Sequence, residues 1–297
     1  MSEPCIGVVG LGAMGMGMAK SLRRGGYDVY VFDVRSEVAR DFAAEGGVAC
    51  ESPAAVAGAC EVLVSVVVNS AQTEAVLFGA GGAAEALKAG SVFVMCSTVA
   101  PEWSIALEKR LAEKGILYLD APISGGAVKA AKGEITMMTS GHPEAYAKAG
   151  GALDAMAAKV YRLGAAAGDG SKIKMINQLL AGVHIAVAAE AMALGLREGV
   201  DPAALYEVIT HSAGNSWMFE NRMAHVLAGD YTPLSAVDIF VKDLGLVVDA
   251  ARANDFPASL ASQAHEMFLQ ASRAGYGRED DSAVIKIFPG IALPGKG

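Results

Sequence analysis

Short apolar runs separated by alanine-rich, helix-compatible segments fill the first half of the chain. Cys5–Gly10, Asp28–Asp33, Val62–Val68, Ser91–Cys96, Leu117–Asp120, Glu134–Thr139 and Val160–Arg162 read as strands. Strands alternating with helices predict a mainly parallel, doubly wound α/β sheet of the Rossmann type. Beyond Leu163 the β signal nearly vanishes. Ala165-Ala166-Ala167-Gly168-Asp169-Gly170 reads as a linker, and Ser171 to about Gly199 as one apolar helix, on the order of 40 Å long. Its centre, 179–189, is hydrophobic on every face, but Lys172, Lys174 and Glu190 bracket it too tightly for a membrane span. It is expected to be a buried central helix. Further helices are predicted at Pro202–His211, Ser216–Ala228, Ala236–Asn254, Pro257–Ala274 and Asp281–Phe288. The expected organisation is a sheet domain over 1–164 followed by an all-α domain over 165–297.

Composition narrows the class of partner. The 297 residues are 53% hydrophobic and 19% charged with a net charge of -8, which excludes disorder and argues against nucleic acid. A small anion would need specific local cations instead. The cysteines, Cys5, Cys50, Cys60 and Cys96, have no metal-ligand or C-x-x-C spacing and read as reduced thiols; no metal is expected. A strand that starts by Cys5 leaves no room for a signal peptide, so the expected location is the cytoplasm.

Chemistry first surfaces where the opening strand runs into Gly10-x-Gly12-x-x-Gly15, followed by a helical segment and a second strand that closes on Asp33. The first glycine permits a tight turn, the second lets backbone approach a pyrophosphate, and the third lets helix pack close to strand. The backbone of Gly12, Ala13, Met14 and Gly15 would then face the phosphates. An acid some 20 residues downstream accepts from both hydroxyls of a ribose diol, which favours NAD over NADP. Ligands of such sheets lie beyond the carboxyl ends of the strands. Val67 near the end of one strand and Asn69 just after it, and Ser97 and Thr98 after the next, are therefore expected to line the cofactor cleft. The alternative for Asn69 and Thr98 is an ordinary turn or helix N-cap, and Thr98 before Pro101-Glu102 suits the start of a helix.

On the central helix, Lys174, Asn177, Gln178, Ala181 and His184 share one face. A lysine near a hydride-transfer centre exchanges a proton with a carbinol oxygen, provided burial lowers its pKa from about 10. Asn177 would fix the lysine or bind the same oxygen. A solvated lysine at a helix start is the alternative.

Four separated motifs together change that balance. Gly7-Val8-Val9-Gly10-Leu11-Gly12-Ala13-Met14-Gly15, Asp120-Ala121-Pro122-Ile123-Ser124-Gly125-Gly126, Gly168-Asp169-Gly170-Ser171-Lys172-Ile173-Lys174-Met175-Ile176-Asn177 and Phe240-Val241-Lys242-Asp243-Leu244 occur in this order. Over essentially its whole length the chain resembles the β-hydroxyacid dehydrogenases, the 3-hydroxyisobutyrate dehydrogenase-like family. The resemblance implies that Lys174 is the general acid/base with Asn177 beside it. It implies that Ser124, Gly125 and Gly126 cradle a substrate carboxylate, and that Lys242 contacts both cofactor and substrate; Asp243 reads as structural. Gln178 departs from the second Asn of many relatives.

The segments 211–222, 238–243, 280–286, 67–73 and 180–184 resemble a branch that oxidises L-threonate at C2 with NAD. Each buried hydroxyl of a polyhydroxy acid needs a partner, because an unpaired one costs about 1–3 kcal/mol. Asn69, Gln178, His184, His211 and Asn215 are candidates; for His184 and His211 the alternative is a histidine bonded to backbone. Oxidation of 3-hydroxyisobutyrate and reduction of tartronate semialdehyde stay open. So do imine reduction, which the lysine opposes, and a non-catalytic NAD-sensing role. The apolar α-domain implies a homodimer or homotetramer.

Overall fold

The computed structural model describes residues 5–295. Its elements run β1 (Ile6–Val9), α1 (Gly15–Arg24), β2 (Val29–Phe32), α2 (Ser36–Ala44), β3 (Val48–Ala49), α3 (Pro53–Ala59) and β4 (Val62–Ser65). Next come α4 (Ser70–Phe78), β5 (Val92–Met95), α5 (Pro101–Ala112), β6 (Leu117–Asp120), β7 (Ile123–Ser124), α6 (Gly126–Lys132), β8 (Ile135–Gly141), α7 (Pro143–Met156) and β9 (Ala157–Gly164). Helices follow: α8 (Asp169–Arg197), α9 (Pro202–Thr210), α10 (Trp217–Ala228), α11 (Val237–Ala253) and α12 (Ser259–Ala271), then a 3-10 turn at Asp281–Ile287. The chain divides into two compact units, Met1–Lys174 and Met175–Gly297.

In the first unit the sheet has the order β3-β2-β1-β4-β5-β6-β8-β7, with β9 on the other edge of β8. The strands from β3 to β6 are parallel. Helices cover both faces, and the strand period of two sorts side chains between them. Val8, Val64 and Val94 pack with Met18, Leu22 and Phe42 on one face. Val9, Leu63, Phe93 and Met95 pack with Val56, Leu77 and Leu111 on the other.

The sheet is mainly parallel as expected, with detail that the sequence did not carry, and two bounds need correction. β8 is antiparallel to β6, so the parallel order ends there. Nothing in a short apolar run marks its direction. The two-residue strands β3 and β7 are too short to give a periodic signal. The expected linker is shorter than read, because α8 already includes Asp169 and Gly170. The helix expected over Pro257–Ala274 ends at Ala271, before a π turn in which Gly275 has φ +98°.

The second unit is helical. Ile185, Ala189 and Met192 of α8 are fully buried among Met223, Val226, Leu244 and Phe268. By length and composition α8 is apolar enough to cross a membrane, and 44% of its most apolar window is buried inside the protein. Sharp N-caps fix the following helices: Asp201 accepts from the Ala204 amide ahead of Pro202, and Ser216 from that of Phe219.

Candidate active site

The register that pairs Val9 with Phe32 and Ser65, and Met95 with Ser65 and Asp120, brings the carboxyl ends of β1, β2, β4, β5 and β6 to one edge. Gly10, Asp33, Val67, Ser97 and Asp120 leave or end the sheet there, as the rule for open α/β sheets requires of a ligand site.

The glycines of the first turn have separable reasons. Gly10 has φ +94°, and a Cβ on it would stand 2.4 Å from the Val66 carbonyl oxygen. A Cβ on Gly15 would fall 1.8 Å from the Gly10 oxygen, so that glycine is demanded by the approach of α1 to β1. A Cβ on Gly12 would meet no atom within 4 Å. The fold therefore does not require that glycine, and the space in front of it is open. Gly12 and Ala13 are exposed, and α1 has no side-chain cap at Met14. Its first-turn amides, which a helix cannot pair internally, suit an anion. The turn fits a dinucleotide.

Asp33 is buried and already oriented. Oδ2 accepts from the Leu11 amide at 2.7 Å, and Oδ1 from the Arg35 amide at 2.9 Å and Arg35 Nε at 3.3 Å. Burial pushes its carboxyl up, but the two amides and the guanidinium outweigh burial and hold it below the usual carboxylate range. Each oxygen retains accepting capacity for a ribose hydroxyl.

Asn69 is the N-cap of α4, its Oδ1 accepting from the Gln72 amide at 2.9 Å. Thr98 is half-buried, but Ala100 rather than Thr98 occupies the N-cap of α5. Ser97 ties two strand ends together: its Oγ donates to the Val67 carbonyl at 2.8 Å and lies 3.1 Å from Thr73 Oγ1. Ser124 ends β7, half-buried, and Gly125 and Gly126 follow with φ +134° and +76°. Side chains rarely adopt either value, so the turn depends on both glycines.

Lys174 is only 6% exposed, within the second turn of α8. The start of that helix is held by Asp120, an acid read from sequence only as part of a loop motif. Asp120 is fully buried; its Oδ2 accepts from the Gly168 and Ser171 amides at 3.0 and 2.9 Å, and Oδ1 from Ser171 Oγ at 2.7 Å.

In the helical unit a chain of polar contacts joins α8 to α11. Asn177 Nδ2 donates to Gln178 Oε1 at 2.9 Å, and Gln178 Nε2 to Asp243 Oδ2 at 2.5 Å. Lys242 Nζ lies 2.7 Å from Asp243 Oδ1. Asp243, read as structural, is 2% exposed and thereby connects two expected site residues. The signal for it was its place beside Phe240, Leu244 and Val247 on the buried face of α11, where a charge needs a partner.

The remaining polar candidates spread out. His184 is half-buried on α8. His211 is exposed at the end of α9, with Nδ1 2.8 Å from the Glu207 carbonyl oxygen. Asn215 donates to the Thr210 carbonyl and to Glu220 Oε1, at 3.0 and 2.7 Å. His211 and Asn215 thus serve their own loop.

Comparison with known proteins gives the family. Residues 5–164 match the family model described as the NAD binding domain of 6-phosphogluconate dehydrogenase. Residues 168–288 match the NAD-binding region of NADP-dependent 3-hydroxyisobutyrate dehydrogenase. The chain is 66% identical to the L-threonate dehydrogenase of Cupriavidus necator, over 98% of both chains. It is 53% identical to that of Escherichia coli K12, over 99% of this chain and 98% of the relative. The crystal structure of a 3-hydroxyisobutyrate dehydrogenase from Salmonella typhimurium superposes with a TM-score of 0.92 at 52% identity, covering 96% of this chain and all of that one. With its dinucleotide turn, buried lysine and full-length relatives, the chain belongs to the 3-hydroxyisobutyrate dehydrogenase-like family, the NAD(P)-dependent oxidoreductases of hydroxy acids.

Proposed function

We propose that the protein is an NAD-dependent L-threonate dehydrogenase that oxidises C2 of its substrate to a 2-oxo acid. The observation that carries this reading is the 66% identity, end to end, with a relative named for that activity.

When bound, NAD supplies the hydride acceptor, taking hydride from C2. Asp33 accepts from the adenosine ribose hydroxyls, and the turn over 10–15 receives the diphosphate. Ser124 with the Gly125 and Gly126 amides receives the substrate carboxylate; backbone N–H groups in such a glycine turn suit an anion. The neutral amine of Lys174 takes the proton of the C2 hydroxyl as the C–H bond breaks, leaving the ketone of the product and an ammonium on Lys174. Asn177 and Gln178 donate to substrate oxygens, held by Asp243, and Lys242 offsets the negative charge of the bound acid.

The choice of NAD rests on Asp33, which would meet a 2′-phosphate with like charge. We also assign a homo-oligomer, because α8 leaves Ile176, Leu180, Val187 and Leu194 exposed at near-heptad spacing along one side. A cytoplasmic location agrees with four unpaired cysteines.

A second reading is kept open by the Salmonella structure, whose own name is 3-hydroxyisobutyrate dehydrogenase. Initial rates of NADH or NADPH formation with L-threonate, glycerate and 3-hydroxyisobutyrate separate the two. L-threonate with NAD is expected to give the highest kcat/KM, roughly 10-fold or more above 3-hydroxyisobutyrate, since a site built for hydroxyls rejects acids that lack them. A higher value with 3-hydroxyisobutyrate would overturn the threonate assignment.

A further inference from the structure

We infer that Asp120 is a positioning residue that sets the register and direction of Lys174 and ties it to the substrate loop; the inference rests on Lys174 as the proton acceptor. Four observations carry it.

First, both oxygens of a fully buried carboxylate are used on the start of one helix: the Gly168 amide, the Ser171 amide and Ser171 Oγ. Ser171 lies three residues before Lys174, so it stands nearly one turn behind the lysine.

Second, the intervening amide is held by the same part of the sheet. Gly170 N–H donates to Ser140 Oγ at 3.0 Å, and that hydroxyl lies 3.4 Å from Asp120 Oδ2. Ser140 on β8 is the ladder partner of Asp120 on β6.

Third, the helix start is seated against the strands with no slack. A Cβ on Gly170 would stand 2.5 Å from the Met138 carbonyl oxygen and 2.9 Å from that of Asp120. Rotation of the helix by one residue would swing Lys174 through about 100°.

Fourth, Asp120 ends β6, and β7 begins three residues later and finishes on Ser124. One strand end thereby fixes both the loop assigned to the substrate carboxylate and the helix carrying the lysine. A helix needs one cap for stability, and most caps are local in sequence. Here the cap comes from 48 residues upstream and engages several donors, as expected where the placement of a side chain matters beyond helix formation.

The test is a mutant cycle on the intact enzyme. Asp120→Asn keeps size but replaces one acceptor by a donor facing the helix amides. It is expected to lower kcat about 10²-fold, the scale set by a misplacement on the order of 1 Å, while NADH binding by fluorescence stays within about twofold. Ser171→Ala removes one bond and leaves Asp120 charged; its kcat should fall about 3- to 10-fold, and it serves should Asp120→Asn not fold. In the Lys174→Ala background Asp120→Asn should lower the residual single-turnover rate at least about 10-fold less than it lowers that of wild type, because the lysine is gone and only the substrate loop remains to be positioned. Equal losses in both backgrounds, or a kcat within twofold of wild type for both single variants, would overturn the inference while Lys174 kept its role. Normal turnover by Lys174→Ala would instead remove the reading on which it rests.

Discussion

Asp33 joins the folding of the cofactor turn to the choice of cofactor. The carboxylate that would receive the ribose diol already receives the Leu11 amide from within the glycine turn. Asp33→Ala should therefore reduce kcat/KM for NAD and raise it for NADP, for which Arg35 would be released from its contact with Asp33. Loss of hydrogen bonds to a charged group, about 1.5–3 kcal/mol, corresponds to a fall of about 10-fold or more in the NAD:NADP ratio, read from initial rates. Equal efficiency of wild type with both cofactors would count against Asp33. The depressed Asp33 carboxyl also has a pH signature. A group bound more weakly to its proton in the folded chain contributes stability above its ordinary pKa of 3.8 and loses it as pH falls through the folded value. In urea titrations the stability gap between wild type and Asp33→Ala should narrow in acid. At this scale sequence reading singled out Asp33 and Lys174 as candidates, because each occupies a motif of fixed spacing, and both are buried in the structure. It gave no role to Asp120, whose partners lie 48 and 51 residues away and follow from sheet register alone.

Between β1 and α1, glycines of identical composition answer to different constraints. Gly15→Ala forces a Cβ onto the Gly10 carbonyl and should be destabilising, visible as a lowered Tm. Gly12→Ala should leave Tm nearly unchanged yet raise KM for NAD several-fold, because its Cβ occupies only the space in front of the turn. Identical effects of the two substitutions would contradict that division. The same scale marks where pattern reading succeeds. β1, β4 and β5 are continuous apolar runs ended by turn residues, and were legible. The reversal at β8 was not, since a strand buried on both faces carries no signal of its direction. The N-cap alternative for Thr98 does not hold, because Pro101 fixes the start of α5 with extended Ala100, leaving no capping side chain.

Among the described residues α8 carries an exposed apolar stripe, with Leu180, Val187 and Leu194 each more than half exposed. If copies associate through it, light scattering should return at least twice the 30.4 kDa chain mass. Leu180→Glu with Leu194→Glu should then return a monomer. A monomeric wild type would refute the assignment. Within the helical unit the buried Arg222 and Asp281 tie α10 to the 3-10 turn, with Nη2 3.0 Å from Oδ2. Arg222→Ala leaves an uncompensated buried carboxylate and should cost about 3–5 kcal/mol by denaturant unfolding.

All of this surrounds one proton transfer, and turnover of Lys174 variants on L-threonate tests it most directly. Lys174→Ala should lower kcat by about 10²–10⁴-fold while NADH still binds and Tm holds. Lys174→Arg should fail almost as badly, because arginine keeps the charge but does not release a proton near neutral pH. Near-normal turnover in Lys174→Ala would contradict the account, and substantial activity in Lys174→Arg alone would reduce the lysine to a fixed positive charge.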